Sequence, residues 1–253
     1  MGHLRPAVSA DRTPPPSCAP RSRAHGTAVL VFAKSARADL CRRFAGLPAA
    51  ARERLGVGLQ RQVRRQALAS GLPVVFSTER EQRGGTYGER LGNACADALA
   101  LGYRRLVVIG GDCPGLRARH LRAAAAALAA GRAVVGRDLR GGVYLFGFGA
   151  DRFDVRRLRW LPYRQPVLAK ALTTALGHGR PADPLELEAL GDVHDVADLR
   201  RDYARLCADA LRAYVGAVVT AAAKARPRAA VRALHDYAGR ASATRRGPPA
   251  VAA

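Results

Sequence analysis

The chain has 253 residues, of which 49% are apolar, so it is long enough to bury one substantial core. It carries 42 Lys and Arg against 20 Asp and Glu, which gives a formal net charge of +22 and favours anionic ligands. These cations are spread along the chain and are not interleaved with aromatic residues, which argues against a dedicated nucleic-acid groove. No apolar stretch reaches membrane-spanning length and none resembles a signal peptide, so we expect a soluble cytoplasmic protein.

Apolar runs alternate with amphipathic segments from residue 28 onward. Strands and helices in this order predict an α/β fold with a doubly wound, mostly parallel sheet and helices on both faces. Strands 133–136 and 142–147 are too close for a helical crossover, so they are either antiparallel neighbours or a broken edge. The predicted strands are 28–33, 73–77, 105–109, 133–136 and 142–147, and the predicted helices are 49–70, 89–101, 117–130 and 166–176.

Composition divides the chain into four parts. Residues 1–26 are rich in Pro, Arg and Ser, and we predict that they are disordered. Residues 27–200 form the predicted α/β domain. Residues 201–240 form a predicted C-terminal helical extension, whose first helix begins near Leu199 and offers a candidate surface for a protein partner. Residues 241–253 are a predicted disordered tail.

The run Leu106 to Ile109 leads directly into Gly110, Gly111 and Asp112. Such a run is typical of a strand buried on both faces, and ligands of open α/β sheets bind at the carboxyl ends of the strands. Asp112 is therefore placed to hold a hard cation, which in turn can hold a diphosphate. The alternative is that Asp112 only caps the following helix. Cys113 has no base nearby in sequence, so we interpret it as structural.

Three further segments accompany the Asp112 turn in a fixed order. They are Phe32-Ala33-Lys34-Ser35, Gln82 to Leu91 (QRGGTYGERL) and Gly136 to Gly147. Together these four segments resemble the CofC-like transferases of the GT-A fold, also called radical-SAM/selenodomain-associated glycosyltransferase-like proteins. The resemblance covers about residues 28–200. It implies a GT-A-like fold and a nucleotide-activated donor.

The resemblance also implies which residues contact the nucleotide. The first segment corresponds to a phosphate loop whose prolines and glycine are absent here, although the basic residues remain. The second segment corresponds to a base-binding loop, where an amide can pair with a base edge. The implied nucleotide-binding residues are Ala33, Lys34, Arg42, Gln82, Gly84, Gly85 and Arg90.

The resemblance implies a divalent metal, Mg²⁺ or Mn²⁺, with Asp112 as one ligand. The late acidic motif of the family reads Asp192-Val193-His194 here, and histidine suits Mn²⁺ better than Mg²⁺. Asp138 is a substitute ligand if its loop is rearranged. Asp195 and Asp198, which follow the motif, are predicted to cap the next helix.

Arg140 replaces an acidic residue of the family pattern. Facing a metal, it would repel the cation by about 4 kcal/mol at ~4 Å for an effective dielectric near 20. Alternatively it takes over the role of the cation and clamps the diphosphate, which makes it a candidate catalytic residue beside Asp112. Trp160, which matches a family tryptophan, is expected in the core or on a pocket wall.

Three functions are compatible with these motifs. The first is a glycosyltransferase-like enzyme that moves a group from a nucleotide sugar to a small-molecule acceptor. The second is a catalytically degenerate relative that binds a nucleotide or a partner protein. The third is a nucleotidyltransferase that uses a nucleoside triphosphate, which the loss of the glycine-rich loop disfavours.

Overall fold

The computed structural model describes residues 26–35, 38, 44–151, 153–177, 184–206 and 211–221. The segments predicted to be disordered, 1–26 and 241–253, lie outside these ranges except for Gly26. Arg42 also lies outside them. Most of the predicted 201–240 extension also lies outside them. No helix within the described ranges is both long enough and apolar enough to cross a lipid bilayer.

A six-stranded sheet forms the centre of the described chain. The strands are β1 (Thr27–Phe32), β2 (Val74–Ser77), β3 (Arg105–Ile109), β4 (Val134–Asp138), β5 (Val143–Gly149) and β6 (Leu185–Leu190). Their spatial order is β2-β1-β3-β5-β4-β6. Strand β5 is antiparallel to both of its neighbours, whereas the other pairings are parallel. The predicted mostly parallel α/β sheet is therefore confirmed, and β4 and β5 are antiparallel neighbours.

Up to residue 206, the described ranges contain the helices α1 (Ala49–Leu68), α2 (Tyr87–Ala100), α3 (Ala118–Ala129), α4 (Leu168–Gly177) and α5 (Val196–Arg201). A 3₁₀ segment, Val155–Trp160, lies between β5 and α4. In β1, Leu30 packs in a cluster with residues of α2, α4 and the 3₁₀ segment. Val29 packs in a second cluster with residues of α1 and α3. Alternate residues of a strand point to opposite faces, so helices cover both faces, as predicted.

Two features differ from the sequence prediction. Strand β6 was not predicted, although its Leu-Glu-Leu-Glu-Ala-Leu sequence alternates as an edge strand does. The helix expected from Leu199 onward is interrupted, because α5 ends at Arg201 and a short 3₁₀ turn, Tyr203–Arg205, follows. Residues 211–221 are helical again. Leu211 and Val215 of this later helix pack with Leu55 and Leu59 of α1.

The start of α2 lies very close to the 3₁₀ segment. Thr86 and Glu89 form a reciprocal capping box, which fixes the first turn of the helix. A Cβ atom on Gly88 would lie 2.7 Å from both the Leu158 oxygen and the Arg159 Cα. The glycine of this motif is therefore required for close packing of two backbones.

Substitution of Gly88 by Ala should test this packing. Alanine favours a helix by about 1 kcal/mol over glycine, but overpacking against backbone costs about 1–3 kcal/mol, so we expect net destabilisation of up to about 2 kcal/mol. Urea unfolding followed by circular dichroism measures it. Gly85→Ala is the matched control, since a Cβ there meets its nearest atom at 3.5 Å. Equal stability of the two variants would contradict the packing argument.

Candidate functional site

A cavity of about 490 Å³ lies at the carboxyl ends of β1 and β3. This edge is where open α/β sheets bind ligands. The predicted site residues that line the cavity are Ala33, Lys34, Gln82, Arg90, Asp112, Asp138, Asp192 and His194. Gly84, Gly85 and Arg140 are not among the lining residues.

One end of the cavity holds three potential metal ligands. Asp112, Asp192 and His194 each offer a ligand atom, and these atoms lie within 4.8 Å of one another. Two carboxylates and an imidazole form a donor set that suits Mn²⁺ and suits Mg²⁺ less well. The spacing and chemistry of the three side chains therefore fit a divalent metal.

A backbone hydrogen bond joins the two segments that supply these ligands. The N–H of Val193 donates to the carbonyl of Asp112 at 3.0 Å. The side chain of Val193 is completely buried, so it anchors the segment that follows β6. Asp192 and His194 flank this anchor in sequence and are thereby carried to the end of β3.

Asp138 lies on the cavity wall but outside the group of three ligands. Its Oδ1 atom accepts hydrogen bonds from the backbone N–H groups of Arg140, at 2.5 Å, and Gly142, at 2.9 Å. These bonds close the turn between β4 and β5, which explains an aspartate at this position without a metal. The structure therefore does not bring Asp138 together with the other predicted ligands.

Arg140 is not among the lining residues of the cavity and pairs instead with a carboxylate outside the predicted ligand group. Its guanidinium forms a short ion pair with Asp198, whose side chain is only 1% exposed, and lies 4.0 Å from Asp195. The expectation that Arg140 faces a metal or clamps a diphosphate finds no support in this placement.

Asp198 connects this arginine to the metal-ligand segment. Its Oδ2 atom accepts the backbone N–H of His194 at 2.9 Å, while Oδ1 accepts from Arg140 and, at 2.8 Å, from Arg201. Burial raises the pKa of the Asp198 carboxyl, but the His194 N–H and the two arginines lower it more, so the pKa lies below its usual value. Asp195 and Asp198 also form the capping box of α5, as predicted.

One side of the cavity is formed around Lys34, which the motif resemblance predicts to contact phosphate. The carbonyl of Lys34 accepts a 2.6 Å hydrogen bond from the Gln60 amide of α1, which fixes the loop after β1. The next residue, Ser35, donates through both its N–H and its hydroxyl to Glu79, each at 2.6 Å. Lys34 therefore lies at the cavity on a loop that Gln60 of α1 and Glu79, after β2, hold in place.

The predicted base-binding loop is held together by its own side chains. The Gln82 amide donates to the Ser77 carbonyl at 3.0 Å. The Arg90 guanidinium donates to the carbonyls of Gly84 and Gly85 at 3.4 and 3.1 Å. Arg90 and the two glycines therefore shape the loop, and Gln82 and Arg90 reach the cavity wall.

The sequence interpretation missed an aromatic wall. The rings of Phe32 and Tyr87 meet edge to face with their centroids 5.5 Å apart. The centroids of the Tyr87 and Tyr163 rings are 4.7 Å apart. All three residues line the cavity, as does Arg164, whose backbone is left-handed with φ of 64°. Tyr87 lies inside the Gln82 to Leu91 motif, and this position was the signal that the sequence offered. Trp160, expected in the core or on the wall, is 81% exposed.

Cys113 is buried beside the cavity and is a structural residue. Burial, with Asp192 and Asp112 nearby, raises the pKa of its thiol, so it is neutral at pH 7. Its side chain packs with Ile109 and Leu116 in the core below α3.

Comparisons with known proteins agree with the fold. A family model described as "Uncharacterized protein conserved in bacteria (DUF2064)" matches residues 43–165. No curated protein matches the chain. A protein from Desulfovibrio desulfuricans G20, described as a candidate nucleotide-diphospho-sugar transferase, is 20% identical, with a TM-score of 0.61 over 77% of this chain and 96% of that one. This chain has the same fold.

Two further solved structures are more distant. Rv0371c from Mycobacterium tuberculosis H37Rv in complex with manganese is 18% identical over 70% of this chain and 97% of that one, with a TM-score of 0.39. A CMP:2-keto-3-deoxy-manno-octonic acid synthetase complexed with CTP is 12% identical over 72% and 96%, with a TM-score of 0.35. Similarity at this level supports no inference about the site.

The Asp198 network predicts sensitivity to acid. A carboxyl with a depressed pKa stabilises the fold above its unfolded value of about 3.9, and this contribution is lost as the pH falls below that value through the folded pKa. We expect Asp198→Asn to lower the free energy of unfolding by about 1–3 kcal/mol at pH 7. Urea unfolding between pH 7 and pH 2.5 should show the difference from wild type shrinking toward zero. A difference that persists at pH 2.5 would contradict this assignment.

Arg140 is expected to act as a positioning residue for the His194 segment. In Arg140→Ala, Asp198 loses one of its two cations, so His194 is held less firmly and Mn²⁺ should bind about three- to tenfold more weakly. Titration calorimetry measures the Kd. Arg137→Ala is the matched control, because Arg137, also on the β4 side of the turn, pairs with the exposed Glu186. An unchanged Mn²⁺ affinity with a lowered Tm would show a purely structural role.

Proposed function

We propose that this protein is a transferase that uses a nucleotide-activated donor, a nucleotide sugar, and passes the transferred group to a small-molecule acceptor. The observation that carries the proposal is that one cavity combines three metal-type ligands, a lysine and an aromatic wall. The shared fold with the candidate nucleotide-diphospho-sugar transferase supports it. The CofC-like character of the sequence motifs is part of the same proposal.

Different cavity residues are suited to three parts of the donor complex, namely the base, the phosphates and a metal ion. Tyr87 and Tyr163 offer ring faces and edges against which a nucleobase can stack. Lys34 supplies a positive charge for the phosphates, and Gln82 an amide for a base edge. Asp112, Asp192 and His194 would hold a divalent metal, which when bound neutralises charge that develops on a diphosphate leaving group.

A nucleotidyltransferase that uses a triphosphate is the less favoured alternative. A triphosphate needs several backbone N–H donors, and the glycine-rich loop that would supply them is replaced by Ser35-Ala36-Arg37. Lys34 and Arg90 are the basic residues of the first two motifs that line the described part of the cavity. Both contribute side-chain charge, which does not replace the missing backbone N–H donors.

Thermal shift measurements with Mn²⁺ test the proposal. The wild type should be stabilised by a nucleotide sugar with Mn²⁺, and less so after addition of a chelator. Asp112→Asn should lose the metal-dependent part of the shift, whereas Asp138→Asn, on the same wall but outside the ligand group, should keep it.

Two outcomes would count against this function. Greater stabilisation by a nucleoside triphosphate than by any nucleotide sugar would favour nucleotidyl transfer. An Mn²⁺ response that survives Asp112→Asn would remove Asp112 from the metal site.

A further inference from the structure

A second cavity, of about 400 Å³, lies between α1 and the helical residues 211–221. We call it the α1 groove. It shares no lining residue with the candidate active site. Its lining residues are Arg54, Val57, Gly58, Arg61, Gln62, Arg65, Leu211 and Tyr214.

The floor of the α1 groove is apolar and closely packed. A Cβ atom on Gly58 would lie 2.5 Å from Leu211 Cδ1, so the glycine lets the 211–221 helix approach α1. Val57 and Leu211 complete this floor. Covering this floor with an apolar part of a ligand removes apolar surface from water, which lowers the free energy of binding.

The rim of the groove is strongly basic. Arg54, Arg61 and Arg65 are spaced by seven and four residues, which places them along one face of α1. Within the described residues none of the three guanidinium groups forms an ion pair, and the lining contains no carboxylate. Arg61 and Arg65 lie about one helical turn apart, where like charges repel, and an anion between them relieves that repulsion.

Tyr214 gives the rim an aromatic wall. The guanidinium of Arg54 lies 5.1 Å from the centroid of the Tyr214 ring, which orients the arginine over the ring. A planar group of a ligand can therefore pack on the ring or the floor while its anionic group meets the arginines.

The two terminal segments outside the described ranges are themselves basic. Residues 1–25 contain four arginines and one aspartate, and residues 222–253 contain seven basic residues and one aspartate. Both segments would add positive charge to a basic rim. Neither terminal segment therefore matches the rim in charge, whereas an external anion does.

We propose that the α1 groove is a second ligand site that binds a phosphorylated small molecule carrying an apolar or aromatic group. The arginines take the phosphoryl group, with the fork geometry that guanidinium groups offer to phosphate. The floor and Tyr214 take the organic part. Gln62, which lines the groove and is buried, donates to the Pro114 carbonyl at 2.5 Å and so connects the groove to the loop after Asp112.

Phenyl phosphate and inorganic phosphate are suitable probes, with Kd values measured by ligand-observed NMR in the presence of a chelator. Wild type should bind phenyl phosphate at least fivefold more tightly than inorganic phosphate. The double substitution Arg61→Ala/Arg65→Ala should raise the Kd for phenyl phosphate at least tenfold. Tyr214→Ala should bring the ratio of the Kd for inorganic phosphate to the Kd for phenyl phosphate toward one. Circular dichroism should show that both variants are folded.

The matched control removes the same charge elsewhere. Arg64 and Arg80 are exposed and line neither cavity, so Arg64→Ala/Arg80→Ala should change the Kd by less than twofold. Equal weakening in both double variants would show that binding reflects only net charge and would overturn the proposal.

Two other results would also overturn it. Loss of phenyl phosphate binding in Lys34→Ala, with binding kept in Arg61→Ala/Arg65→Ala, would place the anion in the first cavity. Tighter binding of a hexaglutamate peptide than of phenyl phosphate, lost in the same double variant, would show that the groove takes an acidic peptide instead.

Discussion

The hydrogen bond from the Val193 N–H to the Asp112 carbonyl is the contact on which the candidate active site depends. Asp112 follows the central strand β3, whereas Asp192 and His194 follow β6 at the far edge of the sheet. Only a segment that crosses back over the strand ends can bring the three side chains within 4.8 Å. The buried Val193 side chain and this one backbone bond fix the crossing in place.

Asp198 holds the same crossing from its other end. One carboxylate oxygen accepts the His194 N–H, and the other accepts from Arg140 and Arg201. A buried carboxylate is tolerated because backbone N–H groups and two guanidinium groups satisfy it. The arginine that departs from the family pattern thus supports the ligand segment, and it does so from outside the cavity.

The two cavities use different sides of α1. Gln60 lies at the first cavity and holds the Lys34 loop, while Arg61 and Gln62 line the α1 groove. Adjacent residues on a helix point about 100° apart, so one helix can support two sites. Through Gln60 and Gln62 the same helix contacts the loops after both β1 and β3. A ligand in the groove therefore lies one helix away from the proposed donor site.

The sequence alone determined the order of strands and helices as far as α4, because apolar runs and amphipathic periodicity are local patterns. The rule that open α/β sheets bind ligands at the carboxyl ends of their strands also placed Asp112 at that edge. Lys34, Gln82 and Arg90 came from the resemblance of their motifs to the CofC-like transferases. The sequence could not show that Arg140 pairs with Asp198, 58 residues away. Nor could it show that Asp138 closes a turn, or that Tyr87 and Tyr163 form one wall. Those contacts depend on distances between elements far apart in the chain, which only the packing of the helices on the sheet decides.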